Sequence, residues 1–222
     1  MAEKLLVSWS SGKDSALALC AVQSLNDCEI SALLTTLVND DGRIGVHGLR
    51  RILLKRQALS CGYPLEEVFL PEGAANEQYE AALDKVLEKH REKGVSSVVY
   101  GDIFLEDIRK YREKHLEKTG MKALFPLWHR DTSGLAREFI DLGFKAVITS
   151  VDSRILDRGM LGRLFDRQFL SELPPGADPC GENGEFHTFV FDGPIFHECI
   201  RYAVGEVFPD RNHFYYCDLI PA

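Results

Sequence analysis

The chain contains no Cys-x-x-Cys pair. Its six cysteines, Cys20, Cys28, Cys61, Cys180, Cys199 and Cys217, stand singly, which argues against a zinc ribbon or a thioredoxin-type redox site. Cys20 and Cys61 fall within apolar helical patterns and read as ordinary buried thiols. Basic residues are the minority, 26 Lys and Arg against 34 Asp and Glu, for a net charge of -8. The electrostatic footprint of a broad nucleic-acid surface is therefore missing, and direct nucleic-acid contact is not expected. No apolar run approaches a membrane span. The opening Met1-Ala2-Glu3-Lys4 leads into a short strand-like run rather than the apolar centre of a signal peptide. The expectation is a cytoplasmic protein with no membrane partner. No internal repeat, low-complexity segment or long heptad seam is present, so a coiled coil is not predicted; a homo-oligomer stays open. Two common nucleotide signatures are also absent. There is no G-x-G-x-x-G, and Val7 stands where a Walker A loop needs its first glycine.

What is present is an ordinary globular composition, 45% hydrophobic and 27% charged over 222 residues. That suits an α/β domain with an appendage, with a core large enough to need no staple. Strand-like runs at 4–9, 29–38, 65–70 and 95–100 alternate with helical spacing at 14–25, 48–60, 74–93 and 105–118. Asn39-Asp40-Asp41-Gly42 reads as a turn after the second strand. Further strands are expected at 122–128 and 145–151, around a helix at 132–142. The alternation predicts an α/β fold, an open, mostly parallel, doubly wound sheet. Beyond residue 152 the pattern breaks into loops, a short helix near 162–172, and strands at 186–192, 200–208 and 213–219. These imply a smaller C-terminal α+β lobe. The expected division is residues 1–150 for the first domain and 151–222 for the lobe.

The strongest chemical signal is Ser10-Ser11-Gly12-Lys13-Asp14-Ser15 between the first strand and first helix. A loop that opens a helix offers free N–H groups and the positive end of a dipole to a phosphate. Gly12 permits close backbone approach, Lys13 adds a cation, and Ser10 and Ser15 add hydroxyls. Asp14 suits either a helix start or a metal contact. Downstream stand His47-Gly48, Tyr100-Gly101-Asp102-Ile103, Pro126-Leu127-Trp128, and Asp178-Pro179-Cys180-Gly181-Glu182-Asn183-Gly184-Glu185-Phe186-His187-Thr188, followed by Asp192-Gly193-Pro194. Glu182, Glu185 and His187 together could accept a proton or orient a nucleophile. They make a weak zinc site. Tyr100, Gly101 and Asp102 sit at a strand's carboxyl end, where α/β sites form.

The hexapeptide resembles the PP-loop of the N-type ATP pyrophosphatases, with their adenine nucleotide alpha hydrolase-like fold. Ser11 replaces a glycine of that pattern, so its φ is expected to be negative or its hydroxyl hydrogen-bonded. The ordered set of motifs, over roughly residues 4 to 200, resembles the diphthine–ammonia ligase family; Asn183 stands where many members carry glycine. The resemblance implies ATP-dependent amide formation. A carboxylate attacks the α phosphate and becomes an acyl-adenylate, pyrophosphate leaves, ammonia attacks the acyl carbon, and AMP departs. It implies ATP and Mg2+ as cofactors. The acceptor is diphthine on elongation factor 2 where the source makes it, and otherwise a small metabolite or another protein. Ser10, Ser11, Gly12, Lys13, Asp14, Ser15, His47, Tyr100, Gly101 and Asp102 would bind the nucleotide, with adenine near Thr35 and Thr36. Asp14 and Asp102 would face the metal. Lys13, Asp14, Glu182, Glu185 and His187 would be catalytic. No glutaminase segment is visible, so free ammonia or a partner is expected to supply nitrogen. A tRNA-thiolating enzyme would need a sulfur-handling cysteine pair and a basic surface. A nucleotide-binding module without turnover would differ by forming no AMP.

Overall fold

The computed structural model describes residues 2–38, 49–71, 73–209 and 213–222. Strand β1 (Glu3–Ser8) leads through the Ser10–Ser15 loop into helix α1 (Lys13–Gln23). Then follow β2 (Cys28–Val38), α2 (Arg51–Cys61), β3 (Leu65–Leu70), α3 (Asn76–Glu92), β4 (Val95–Val99), α4 (Glu106–Thr119) and β5 (Lys122–Leu124). These five strands form one sheet in the order β3-β2-β1-β4-β5, with every pair parallel. The apolar runs form strands because both faces are covered. Leu5 and Val7 face one core with Leu17, Leu19, Leu53 and Leu54 from α1 and α2. Leu6 faces the other with Leu83, Leu87 and Leu116 from α3 and α4. The expected doubly wound sheet is therefore the one that forms.

After α5 (Thr132–Asp141) come β6 (Lys145–Asp152), α6 (Arg167–Ser171), β7 (Phe186–Asp192), β8 (Tyr202–Pro209) and β9 (Phe214–Pro221). They build a second sheet, β7-β6-β9-β8, with antiparallel pairs. Two details differ from the sequence reading. β5 ends at Leu124 rather than 128, because the chain turns at Phe125–Trp128, where Trp128 N donates to Phe125 O at 3.1 Å. The run at 145–151 does not extend the parallel sheet. It pairs antiparallel with β7 and β9, and an apolar run carries no record of its partner. The passage between sheets thus falls between Leu124 and Lys145, earlier than position 150. The sheets share a core. Ile148 of β6, Phe189 of β7 and Leu219 of β9 join the cluster that holds Leu5 and Val7. Fully burying a side chain such as Phe189 contributes roughly 1.5–3 kcal/mol.

Candidate functional site

The Ser10–Ser15 loop lies where β1 ends, with Trp9 N held by Leu34 O at 2.8 Å. Ser11 adopts φ +74°, against the expectation of a negative value. That conformation costs an L-residue about 1–2 kcal/mol. Two hydrogen bonds to the Ser11 carbonyl hold it there, from Val190 N at 3.0 Å and Gln57 Nε2 at 3.1 Å. Gly12 is the N-cap residue of α1 and has no side chain to cap with. Thr188 of β7 does this instead, its Oγ1 accepting from Lys13 N at 3.1 Å. Within the loop, Ser10 Oγ lies 3.2 Å from Ser15 Oγ, which donates to Gly12 O at 2.9 Å.

Lys13 is almost fully buried. Its Nζ meets both Asp14 carboxylate oxygens, at 2.9 and 2.8 Å, and sits 5.5 Å from the centroid of the Phe186 ring. Burial alone would lower the lysine's pKa, but the adjoining Asp14 carboxylate outweighs it and holds the ammonium charged. Asp14 stands in the first turn of α1, beside the positive end of the helix dipole. Burial nevertheless raises its carboxyl above the ordinary value, against the pull of Lys13.

Two loops face this helix start. The first follows β4. A Cβ at Gly101 would lie 2.8 Å from the Asp14 backbone, so only glycine lets the loop approach so closely. Asp102 pairs with Arg112 of α4, Oδ1 to Nη2 at 3.1 Å and Oδ2 to Nε at 2.8 Å. The Arg112 guanidinium lies 4.2 Å over the buried Tyr100 ring. The second loop is Asp178–Thr188. Asp178 Oδ2 accepts from Cys180 N and Glu182 N at 3.1 and 2.9 Å. Gly181 has φ +67°, and a Cβ there would meet Phe186 O at 2.8 Å. Glu182 reaches across to the first loop, its Oε1 accepting from Ile103 N at 2.8 Å. Burial and the nearby Asp14 and Asp102 push its carboxyl up to about 7, in spite of that hydrogen bond.

Two adjoining open cavities result. One is lined by Gly12, Lys13, Cys180 and Thr188 among others. The second is lined by Ser8, Ser15, Tyr100, Gly101, Asp102 and Arg112. Ser10, Asp14, Glu182 and His187 line both. The fold thus brings Ser10, Gly12, Lys13, Asp14, Ser15, Tyr100, Gly101, Asp102, Glu182 and His187 together. Ser11 sits behind the loop, nearly fully buried.

Other candidates lie elsewhere. Glu185 lines neither cavity. It is buried, and its Oε1 accepts from Asp178 N and Asn183 Nδ2 at 2.9 and 3.1 Å, closing the loop from within. Thr35 and Thr36, near the carboxyl end of β2, are also absent from both linings. His47 and the Asn39–Gly42 turn fall outside the described residues. Trp128 lines neither cavity and stacks instead under Arg109, at 4.6 Å. Among the described residues no group of three or more His, Cys, Asp or Glu side chains is set to hold a metal ion. Sequence reasoning missed Thr188, Arg112 and Gln57 as parts of the site. Thr188 stood within a quoted motif, whereas Arg112 and Gln57 lie in helical patterns that give no local signal.

The chain matches the diphthamide synthase N-terminal domain over residues 3–123. It matches the diphthamide synthase C-terminal domain over residues 131–217. It is 33% identical over 142 residues to a human diphthine–ammonia ligase, covering 61% of this chain and 52% of the human protein. The bovine diphthine–ammonia ligase is 32% identical over 142 residues, with the same coverage. That of Schizosaccharomyces pombe is 28% identical over 137 residues, 56% of this chain and 22% of the yeast protein. The chain therefore spans about half the length of its mammalian relatives and less of the yeast one. With matches to both domains in order, the chain belongs to the diphthamide synthase family.

Proposed function

We propose that this protein is an AMP-forming ligase that adenylates a carboxylate with ATP and converts it to an amide with ammonia, in the cytoplasm. The observation that carries the reading is the buried, charged Lys13 at the start of α1, facing an open cavity lined by residues of the Cys180–Thr188 loop. A cation and helix N–H groups there meet phosphate oxygens and stabilise the charge that develops on departing pyrophosphate. When ATP arrives, Lys13 turns from Asp14 to the phosphates. Asp14 and Asp102, both lining the second cavity, are the carboxylates that would face Mg2+. Two carboxylates with nucleotide oxygens and waters suit this ion, which needs no dedicated protein cage. When bound, Mg2+ neutralises phosphate charge.

Glu182 lines both cavities, has its carboxyl raised to about 7, and uses Oε1 for Ile103 N. A carboxyl that exchanges its proton near neutrality suits a base that accepts the proton ammonia sheds as its nitrogen bonds to the acyl carbon and AMP leaves. His187, on the same walls, is the second proton carrier. Family membership and the diphthine–ammonia ligase names of the relatives favour diphthine on elongation factor 2 as acceptor. The matched half of the mammalian relatives leaves a second acceptor, a different protein or small carboxylate, as the alternative reading. A sulfur-transfer role is disfavoured. Burial pushes the Cys180 thiol up to about 12, even beside Lys13, so it is a poor nucleophile.

The test is a product assay with ATP labelled at the α phosphate, with Mg2+ and ammonium, with and without diphthine-bearing elongation factor 2. Labelled AMP that requires the acceptor is expected, and its loss in Lys13→Ala, with circular dichroism as the folding check. Labelled ADP instead would reject the adenylating reading. Tight ATP binding with no product under any acceptor would favour a binding module.

A further inference from the structure

We propose that Gln57 is a positioning residue that aims the phosphate loop from outside it. Gln57 lies on α2, outside every motif, and is fully buried. Its Oε1 accepts from Trp9 Nε1 at 3.0 Å. Its Nε2 donates to Ser11 O at 3.1 Å and to Val190 O at 2.6 Å. One amide thus joins the end of β1, the phosphate loop and strand β7 of the second sheet. Burying an amide is costly unless it is hydrogen-bonded, and here both donors and the acceptor are engaged.

What this amide controls is the peptide plane between Ser11 and Gly12. A peptide unit is planar and trans, so its C=O and N–H point in opposite directions. Gln57 and Val190 N draw the Ser11 carbonyl inward. The Gly12 N–H then points the other way, toward Ser10, whose Oγ accepts from it at 3.4 Å and which lines the same cavity as Gly12. Ser11 resists this arrangement, because φ +74° is unfavourable for a residue with a Cβ. The clamp holds what a glycine would adopt unaided.

This inference rests on the reading of Ser10–Ser15 as a nucleotide phosphate loop, and the test separates the two. Gln57→Met preserves volume and removes the amide. Gln57→Glu keeps an acceptor for Trp9 and leaves at most one donor, a carboxyl O–H, for the two carbonyls. Hydrogen exchange would be followed by residue in the full chain, with ATP affinity measured alongside. Both variants are expected to speed exchange at Lys13 and Val190, whose N–H groups are held by Thr188 Oγ1 and Ser11 O, while β1 and β4 stay protected. ATP affinity should fall about 10-fold, the equivalent of roughly 1.4 kcal/mol. Adding Ser11→Gly should recover more affinity in the Gln57→Met chain than it changes in the parent, since glycine needs no clamp. Unchanged exchange at Lys13 and Val190, a uniform rise across the chain, or strictly additive effects of the two substitutions would overturn the proposal. A parent chain that fails to bind ATP would reject the phosphate-loop reading, and the exchange arm would still decide whether Gln57 fixes the loop.

Discussion

Glu182 bridges the two loops of the site and carries a carboxyl raised from 4.5 to about 7 by burial and by Asp14 and Asp102. The folded protein therefore holds this proton more tightly than the unfolded chain does. The resulting stabilisation is complete below pH 4.5 and is lost as pH rises to about 7, above which the ionised form weighs against the fold. Glu182→Gln keeps an oxygen for Ile103 N and removes the charge. It is expected to raise the urea midpoint at pH 8 relative to the parent, with a much smaller difference at pH 5. The same variant should slow amide formation by about 100-fold or more and remove the acidic limb of the rate profile near pH 7. An unchanged profile would leave Glu182 as a bridge alone. At Lys13 burial disfavours the charge and the Asp14 carboxylate favours it. Removing the lysine strands a carboxylate whose side chain is 29% exposed, so the cost should lie below the roughly 3–5 kcal/mol of a fully buried pair.

Among the elements, α1 depends on its neighbours at both sides of its first turn. Its own N-cap position offers no side chain, and the cap arrives from Thr188 on β7. On the other side, the loop after β4 packs against the α1 backbone at a distance only Gly101 permits. Gly101→Ala should push the two apart. The expected cost is about 1–3 kcal/mol of stability, as for other overpacked sites, together with weaker ATP binding. Thermal unfolding and a titration with ATP check both. A variant of parental stability and affinity would mean that the loop moves aside freely.

For the whole molecule, the decisive feature is the shared core. Leu5, Val7 and Leu17 belong to the same buried cluster as Ile148, Phe189 and Leu219. Thr188, Val190 and Gln57 then tie the phosphate loop to the second sheet. Two sheets that share a core and a site should unfold as one unit. Urea unfolding followed by tryptophan fluorescence and by far-ultraviolet circular dichroism is expected to give coincident midpoints. Separated midpoints would show that the sheets are stable independently. No helix among the described residues is long and apolar enough to cross a membrane.

The sequence by itself determined the order of elements and which residues make up the loop between β1 and α1. Strand-to-helix alternation is local periodicity, and Ser10–Ser15 is contiguous, so both are readable without a fold. The contributions of Tyr100–Asp102 and Glu182 were readable for the same reason, as short motifs at element ends. Tertiary structure decided everything that depends on partners far along the chain. It placed β6 in the second sheet, because an apolar strand does not encode its neighbour. It set Ser11 at a positive φ, because Val190 and Gln57 hold its carbonyl. It turned Glu185 inward to close its own loop, although its spacing resembled that of Glu182. It also recruited Thr188, Arg112 and Gln57, whose roles arise only when β7, α4 and α2 converge on the end of β1. Short-range pattern specifies which elements form, and long-range hydrogen bonding and packing specify which side chains share the site.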